Sequence, residues 1–159
     1  MHFTNSKEFP FSMDVAWSAL QDPSKLDVEP GSVVSEATPA QWKASNDETG
    51  AVTIYTASFD EAARKVTIEG ASNKKHDHDF ICLSLHEAGE GKITLEIDVH
   101  IETGAHVIAK ALGALFSKPM QEIMCRHIYH NFEALCTGGA TKTLSNDELK
   151  DIAKKTFEK

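Results

Sequence analysis

The stretch from Lys118 to Cys136 limits the possible folds more than any other. At about 100° per residue, Met120, Ile123, Met124, His127, Ile128, Asn131, Phe132 and Leu135 fill one wide arc, and Glu122, Arg126, His130 and Glu133 fill the opposite one. The spacing predicts an amphipathic helix roughly 28 Å long, enough to cross a whole sheet. Nearly everything before it reads as strand, so one long helix laid across one sheet is the expected arrangement.

The sheet follows from strand parity. In Lys92 to Glu102, Ile93, Leu95, Ile97, Val99 and Ile101 share one face and Thr94, Glu96, Asp98 and His100 the other, the pattern of a sheet with one dry side. Its partner, Lys75 to His86, is joined to it by Glu87-Ala88-Gly89-Glu90-Gly91. Further strands are expected at His2 to Phe9, Ser32 to Ala37, Gln41 to Ser45, Ala51 to Phe59 and Ala62 to Gly70, separated by turn residues such as Thr38-Pro39 and Asn46-Asp47-Glu48-Thr49-Gly50. After the first strand, Ser12 caps a short helix with apolar positions 13, 16, 17 and 20, and Asp22-Pro23 opens a second short helix. Short connections throughout favour an antiparallel meander.

Between Thr103 and Ser117 the apolar face centres on Ile108, Leu112, Leu115 and Phe116, rotated away from the face used after Pro119. The proline cannot donate to the carbonyl of Leu115, so a kink or break is expected there. Residues 1–137 read as one domain and 138–159 as a polar tail that is helical from 145. Ser145-Asn146-Asp147-Glu148 has the form of a capping box. Few apolar residues punctuate the tail, so it is expected to lie on the surface and add little to the core.

The chain of 159 residues is long enough for a core without disulfides or metal. A formal net charge of -8 disfavours nucleic acid and anionic membranes, and no window approaches the roughly 18 apolar residues of a membrane span. The N-terminal ten residues lack the pattern of a signal peptide, so a cytoplasmic location is expected. Cys125 and Cys136 are about 16 Å apart along one helix and cannot bridge each other; reduced thiols are expected.

Val15-Ala16-Trp17 with Leu20, then Asp22-Pro23 and Leu26, then Pro30-Gly31, resembles the opening of one branch of the START-related, Bet v 1-like SRPBCC superfamily. That branch contains the polyketide cyclases and a family of carbon monoxide dehydrogenase subunits. The element order is similar to that superfamily over residues 2–136. The resemblance implies an α+β helix-grip fold: a bent antiparallel sheet of about seven strands wrapped around a long C-terminal helix, with two short helices after strand 1. It also implies a cavity between sheet and helix that takes lipids, polyketides or aromatic compounds.

Chemistry is less legible. Of the eight histidines, His76 and His78 have the parity opposite to Ile81, Leu83 and Leu85 and read as a solvated strand end. His86, His100 and His106 fall on polar faces or strand ends, and neither a metal nor a cofactor is expected. His127 lies inside the apolar arc, as a core histidine bonded to a carbonyl or to Asn131, or as a cavity group that orients a ligand or moves a proton. No nucleophile elbow, paired-carboxylate signature or cysteine ligand set is present. The expected site is therefore a cavity with Met120, Ile123, Met124 and His127 facing Leu83, Leu95, Ile97 and Val99. Leu112, Leu115 and Phe116 would stand at its mouth, and Trp17 would lend an edge. Its occupant would be a hydrophobic small molecule. A cyclase or dehydratase using one acid/base group, and an accessory subunit with a filled cavity, are the alternatives; a homodimer or protein partner stays open.

Overall fold

A computed structural model describes residues 2–48, 50–73, 78–101 and 118–157. Strand β1 (His2–Phe9) leads into helix α1 (Met13–Ala19) and a 3-10 turn (Pro23–Leu26). Strands β2 (Val33–Thr38), β3 (Gln41–Asn46), β4 (Ala51–Asp60), β5 (Lys65–Ser72), β6 (His78–Gly89) and β7 (Lys92–Ile101) follow. Helices α2 (Lys118–Thr137) and α3 (Asn146–Phe157) close the chain. The seven strands form one antiparallel sheet in the order β1-β7-β6-β5-β4-β3-β2. This is the helix-grip α+β architecture. The rotated face of 103–117 and the expected break at Pro119 involve segment 102–117, outside the described residues.

Local chemistry explains most boundaries. Ser12 Oγ accepts the Val15 amide at 3.3 Å and starts α1. Asp22 stands where a cap is expected but takes the Ser24 hydroxyl instead of a backbone N–H, and the segment stops after one 3-10 turn. Strand β5 begins at Lys65 rather than Ala62, because Asp60 Oδ1 accepts the Ala63 amide and Arg64 adopts a left-handed φ of 52° to turn the chain.

Register sorts the dry face into rows that cross the sheet. One row runs Trp42, Tyr55, Gly70, Asp79; the next Ala57, Ile68, Ile81, Val99, Phe3; the next Phe59, Val66, Leu83, Ile97, Asn5. Helix α2 covers these rows from the β1 side. Its Tyr129 hydroxyl donates to Asn5 Oδ1 at 2.6 Å, and Phe132 meets Phe9 edge-on with ring centroids 5.0 Å apart. The helix therefore advances from the Asn5 row towards Phe9, and its earlier turns lie towards the rows of Val99 and Tyr55.

Two faces of α2 are buried. Cys125, Ile128, Tyr129 and Phe132 join the core with the sheet, while His127 and Asn131 turn to the 3-10 turn and to the chain after α2. These two faces correct two expectations. The single arc omits Cys125 and Tyr129, which are 1% and 6% exposed, and the tail is not merely superficial. The Asn131 amide group binds the Lys142 backbone in both directions, at 2.9 and 2.7 Å, and also donates to the Leu26 carbonyl. Leu144 is buried, its carbonyl accepts the Gly31 amide, and its amide donates to Asp27 Oδ2. Gly31 has φ +92°, and a Cβ there would fall 2.5 Å from Asn146 Oδ1, so both backbone and space require glycine. Polarity hides this: the tail docks through its backbone, which side-chain hydropathy does not register.

Burying Leu144 contributes about 1.5–3 kcal/mol, and leaving the Asn131 amide unpaired would cost about 1–3 kcal/mol more. At about 2–4 °C per kcal/mol, deleting residues 138–159 is expected to lower the melting temperature by about 5 °C or more. Thermal unfolding followed by circular dichroism checks this, and a shift below about 2 °C would contradict the docked tail.

Candidate functional site

The grip face is tight at one end and looser at the other. Leu83, Leu95, Ile97 and Val99 each have no accessible surface and lie side by side on β6 and β7. On the Tyr55 row Asp79 is only half-buried, as are Ile123 and Met124 on the N-terminal half of α2. A polar group sits in that looser region. Tyr55 is 2% exposed, its ring stacks on Trp42 at 5.5 Å, and it lies so close over Gly70 that a Cβ there would meet it at 2.6 Å. The Tyr55 hydroxyl donates to Glu29 Oε1 at 3.0 Å, with Thr53 Oγ1 at 3.4 Å from the same oxygen. Glu29 Oε2 is enclosed and has no hydrogen-bond partner among the described residues.

Burial pushes the Glu29 carboxyl above the ordinary 4.5; hydroxyls of Tyr55, Ser32 and Thr53 offset part of this, and nearby Asp27 adds to the rise. Burial likewise holds the Tyr55 phenol well above 10, reinforced by the charges of Glu29 and Asp79. The pair is thus a hydrogen-bonded polar group on the dry side of the sheet, with one acceptor oxygen unused.

Among the predicted site residues, Leu83, Leu95, Ile97 and Val99 do share one surface. His127 does not face it: Nε2 lies 2.8 Å from Asp27 Oδ2, with both side chains almost fully enclosed. Asp27 adopts a left-handed φ of 53° at the end of the 3-10 turn, which swings its carboxylate towards α2. Ile123 and Met124 lie on the N-terminal half of α2, Met120 is in its first turn, and Leu112, Leu115 and Phe116 fall outside the described residues. Trp17 packs under the Arg64 guanidinium, 5.6 Å from its ring centre, beside the β5 turn. Sequence reasoning misses Asp27, Glu29 and Tyr55. Tyr55 carries a weak signal, a hydroxyl-bearing side chain in the inward parity of β4, but nothing in the spacing links it to Glu29.

A concavity of about 460 Å³ lies outside the grip, between α1, the 3-10 turn and the end of α2, lined by Asp14, Val15, Ser18, Asp22, Lys25, Leu135 and Cys136. The Cys136 thiol there is pushed up to about 11 by burial and by Glu133, and Cys125 likewise to about 11 by burial and Glu122, so neither is an activated nucleophile.

No family model matches the sequence, and no curated protein matches it. Solved structures do. TTHA0849 from Thermus thermophilus superposes with a TM-score of 0.60 at 13% identity, over 87% of this chain and 98% of that one. A Thalictrum norcoclaurine synthase point mutant in complex with a transition-state analogue gives 0.60 at 9% identity, over 84% and 94%. A START superfamily protein from Mycobacterium smegmatis gives 0.51 at 15%, over 86% and 94%. The protein has the Bet v 1-like, START-related fold. Among the described residues no helix is long and apolar enough to cross a membrane.

Two outcomes follow from these geometries. Removing Asp27 leaves the buried His127 Nε2 and the Leu144 amide without their shared acceptor, so Asp27→Ala is expected to destabilise the fold by about 2–4 kcal/mol in urea denaturation. A loss below about 1 kcal/mol would contradict the pairing. Because the folded state raises the Glu29 pKa, that group's stabilising contribution is complete below about 4.5 and is lost as pH rises through its folded-state value. Glu29→Gln, neutral throughout, should therefore gain stability relative to wild type as pH increases from 4.5 to 8. A difference that stays constant with pH would contradict a raised Glu29.

Proposed function

We propose that the protein binds an apolar small molecule between the sheet and α2, at the Tyr55 end of the grip face, with Glu29 and Tyr55 holding the ligand's one polar group. The observation that carries this reading is Glu29 Oε2, which is enclosed and has no hydrogen-bond partner among the described residues, although the other carboxyl oxygen is held by Tyr55. An unused buried acceptor costs about 1–3 kcal/mol, a penalty that a ligand donor would remove. The half-buried Ile123 and Met124 of α2 would supply apolar surface, and Ile81 and Val99, closed over in this structure, would have to open to form the floor. Leu83, Leu95 and Ile97 lie further along the same face and have no accessible surface, so they would back the site rather than touch the ligand. The ligand is a lipid, polyketide or aromatic molecule carrying a hydroxyl or amine. Binding of a transition-state analogue by the norcoclaurine synthase of similar fold is consistent with small-molecule recognition by such a scaffold.

The same pair favours a second reading. A carboxyl with a raised pKa beside a phenol can exchange a proton with a bound carbonyl compound, as a cyclase or dehydratase requires. His127 is the weaker candidate for either role, because Asp27 already engages its Nε2. His127→Leu would disturb that pair, so loss of binding in that variant alone says little.

Nile red and a hydroxyl-bearing apolar ligand such as a long-chain alcohol test the proposal by fluorescence and displacement. Wild type should bind both. Glu29→Leu should weaken the alcohol by about 1–3 kcal/mol while retaining Nile red, and Met124→Trp should exclude both by filling the space. Equal binding in wild type and Met124→Trp would place the ligand elsewhere.

A further inference from the structure

The wet face of the sheet carries a cluster that the grip does not use. Pairing of β1 with β7 puts His2 directly opposite His100, with Asp98 two residues along β7 on the same face. The two imidazoles stack with centroids 4.3 Å apart and planes 12° from parallel, and His2 Nε2 contacts Asp98 Oδ1 at 2.5 Å. One donor atom from each of His2, Asp98 and His100 lies within 4.8 Å of the others. In sequence His100 is one polar-face histidine among several; only the register of the first strand against the last supplies its neighbour.

We propose that His2, Asp98 and His100 form a surface site for a divalent first-row transition-metal ion of the nickel, copper and zinc group. Two imidazole nitrogens and one carboxylate oxygen are borderline ligands that suit these ions better than magnesium or calcium, which prefer oxygen. Ligands about 2.0–2.2 Å from a shared ion stand roughly 3–4 Å from one another, so an ion would need the exposed His2 and His100 rings to turn out of their stack and point their in-plane nitrogens at it, with His2 moving off its 2.5 Å contact with Asp98. His2 and His100 are exposed and Asp98 is half-buried, which leaves the remaining coordination positions to water and gives the ion direct access. The strands themselves are held in register by their backbone ladder, so the donors are carried on paired β structure. A bound ion would cross-link β1, an edge strand, to its neighbour β7. The site stands on the opposite face of the sheet from Glu29 and Tyr55 and is independent of ligand binding.

Isothermal titration of the full chain with Zn²⁺, repeated with Ni²⁺, tests the assignment. Wild type is expected to bind one ion at this site, with the His2 and His100 ring nitrogens shifting in ¹⁵N-resolved histidine spectra. Loss of a residue that merely supports a metal ligand weakens binding about 10-fold or more, so His100→Ala and Asp98→Asn should each weaken it at least that much. His86→Ala, which removes an exposed histidine of β6, and the double variant His76→Ala/His78→Ala should leave it unchanged. Zn²⁺ should also raise the melting temperature of wild type and not of His100→Ala. Binding that survives in His100→Ala, or that disappears in the His76/His78 double variant, would overturn the proposal, as would ring shifts confined to histidines other than His2 and His100.

Discussion

The carboxylate of Asp27 is where three separate parts of the chain meet. It holds His127 of α2 at 2.8 Å and the Leu144 amide at 3.0 Å, and it does so from the end of the 3-10 turn. Its neighbours complete the clamp: Asn131 grips the Lys142 backbone, and Gly31 closes onto Leu144. With that junction in place, α2 is held from behind as well as from the sheet. The helix can then fix its C-terminal half firmly on β1 without needing apolar contact along its whole length. Asp27 Oδ1 is buried with no hydrogen-bond partner among the described residues, so the two donors to Oδ2 are what offset the cost of burying the carboxylate.

This division of labour lets the other end of the grip hold polar chemistry. Where Phe9, Phe132 and Tyr129 interlock, there is no accessible space; towards Tyr55 the side chains loosen and Glu29 intrudes. The loop from Asp27 to Glu29 serves both ends, since one acid anchors the helix and the next enters the apolar face two residues later. Raising the Glu29 and Tyr55 pKa values is the electrostatic consequence of putting them there. A scaffold stabilised elsewhere can tolerate an under-satisfied group at its site.

The fold is legible because it is written in periodicities. Period-two alternation in β6 and β7, the Ser12 cap, Pro23 and the arc from Ile123 to Leu135 are local signals, and local signals survive in a single sequence. What escapes is set by long-range pairing. A helical wheel reads the arc of α2 as one face because it cannot say that two different partners cover it. It places His127 towards the sheet for the same reason, while the acid that His127 meets is a hundred residues earlier. Glu29 beside Tyr55 and His2 beside His100 are likewise products of register and loop path. The tail misleads in a different way: backbone hydrogen bonds hold it at Lys142 and Leu144, and only Leu144 shows itself as apolar.

Two places compete for an apolar molecule: the proposed site on the grip face near Tyr55, and the outer groove between α1 and the end of α2. Methyl and aromatic NMR spectra recorded during titration with an apolar alcohol distinguish them residue by residue. Binding at the grip face predicts that the largest shifts fall on Ile81, Ile123, Met124 and the Tyr55 ring, with Val15 and Leu135 unmoved. Shifts concentrated on Val15 and Leu135, with the Tyr55 ring silent, would contradict it.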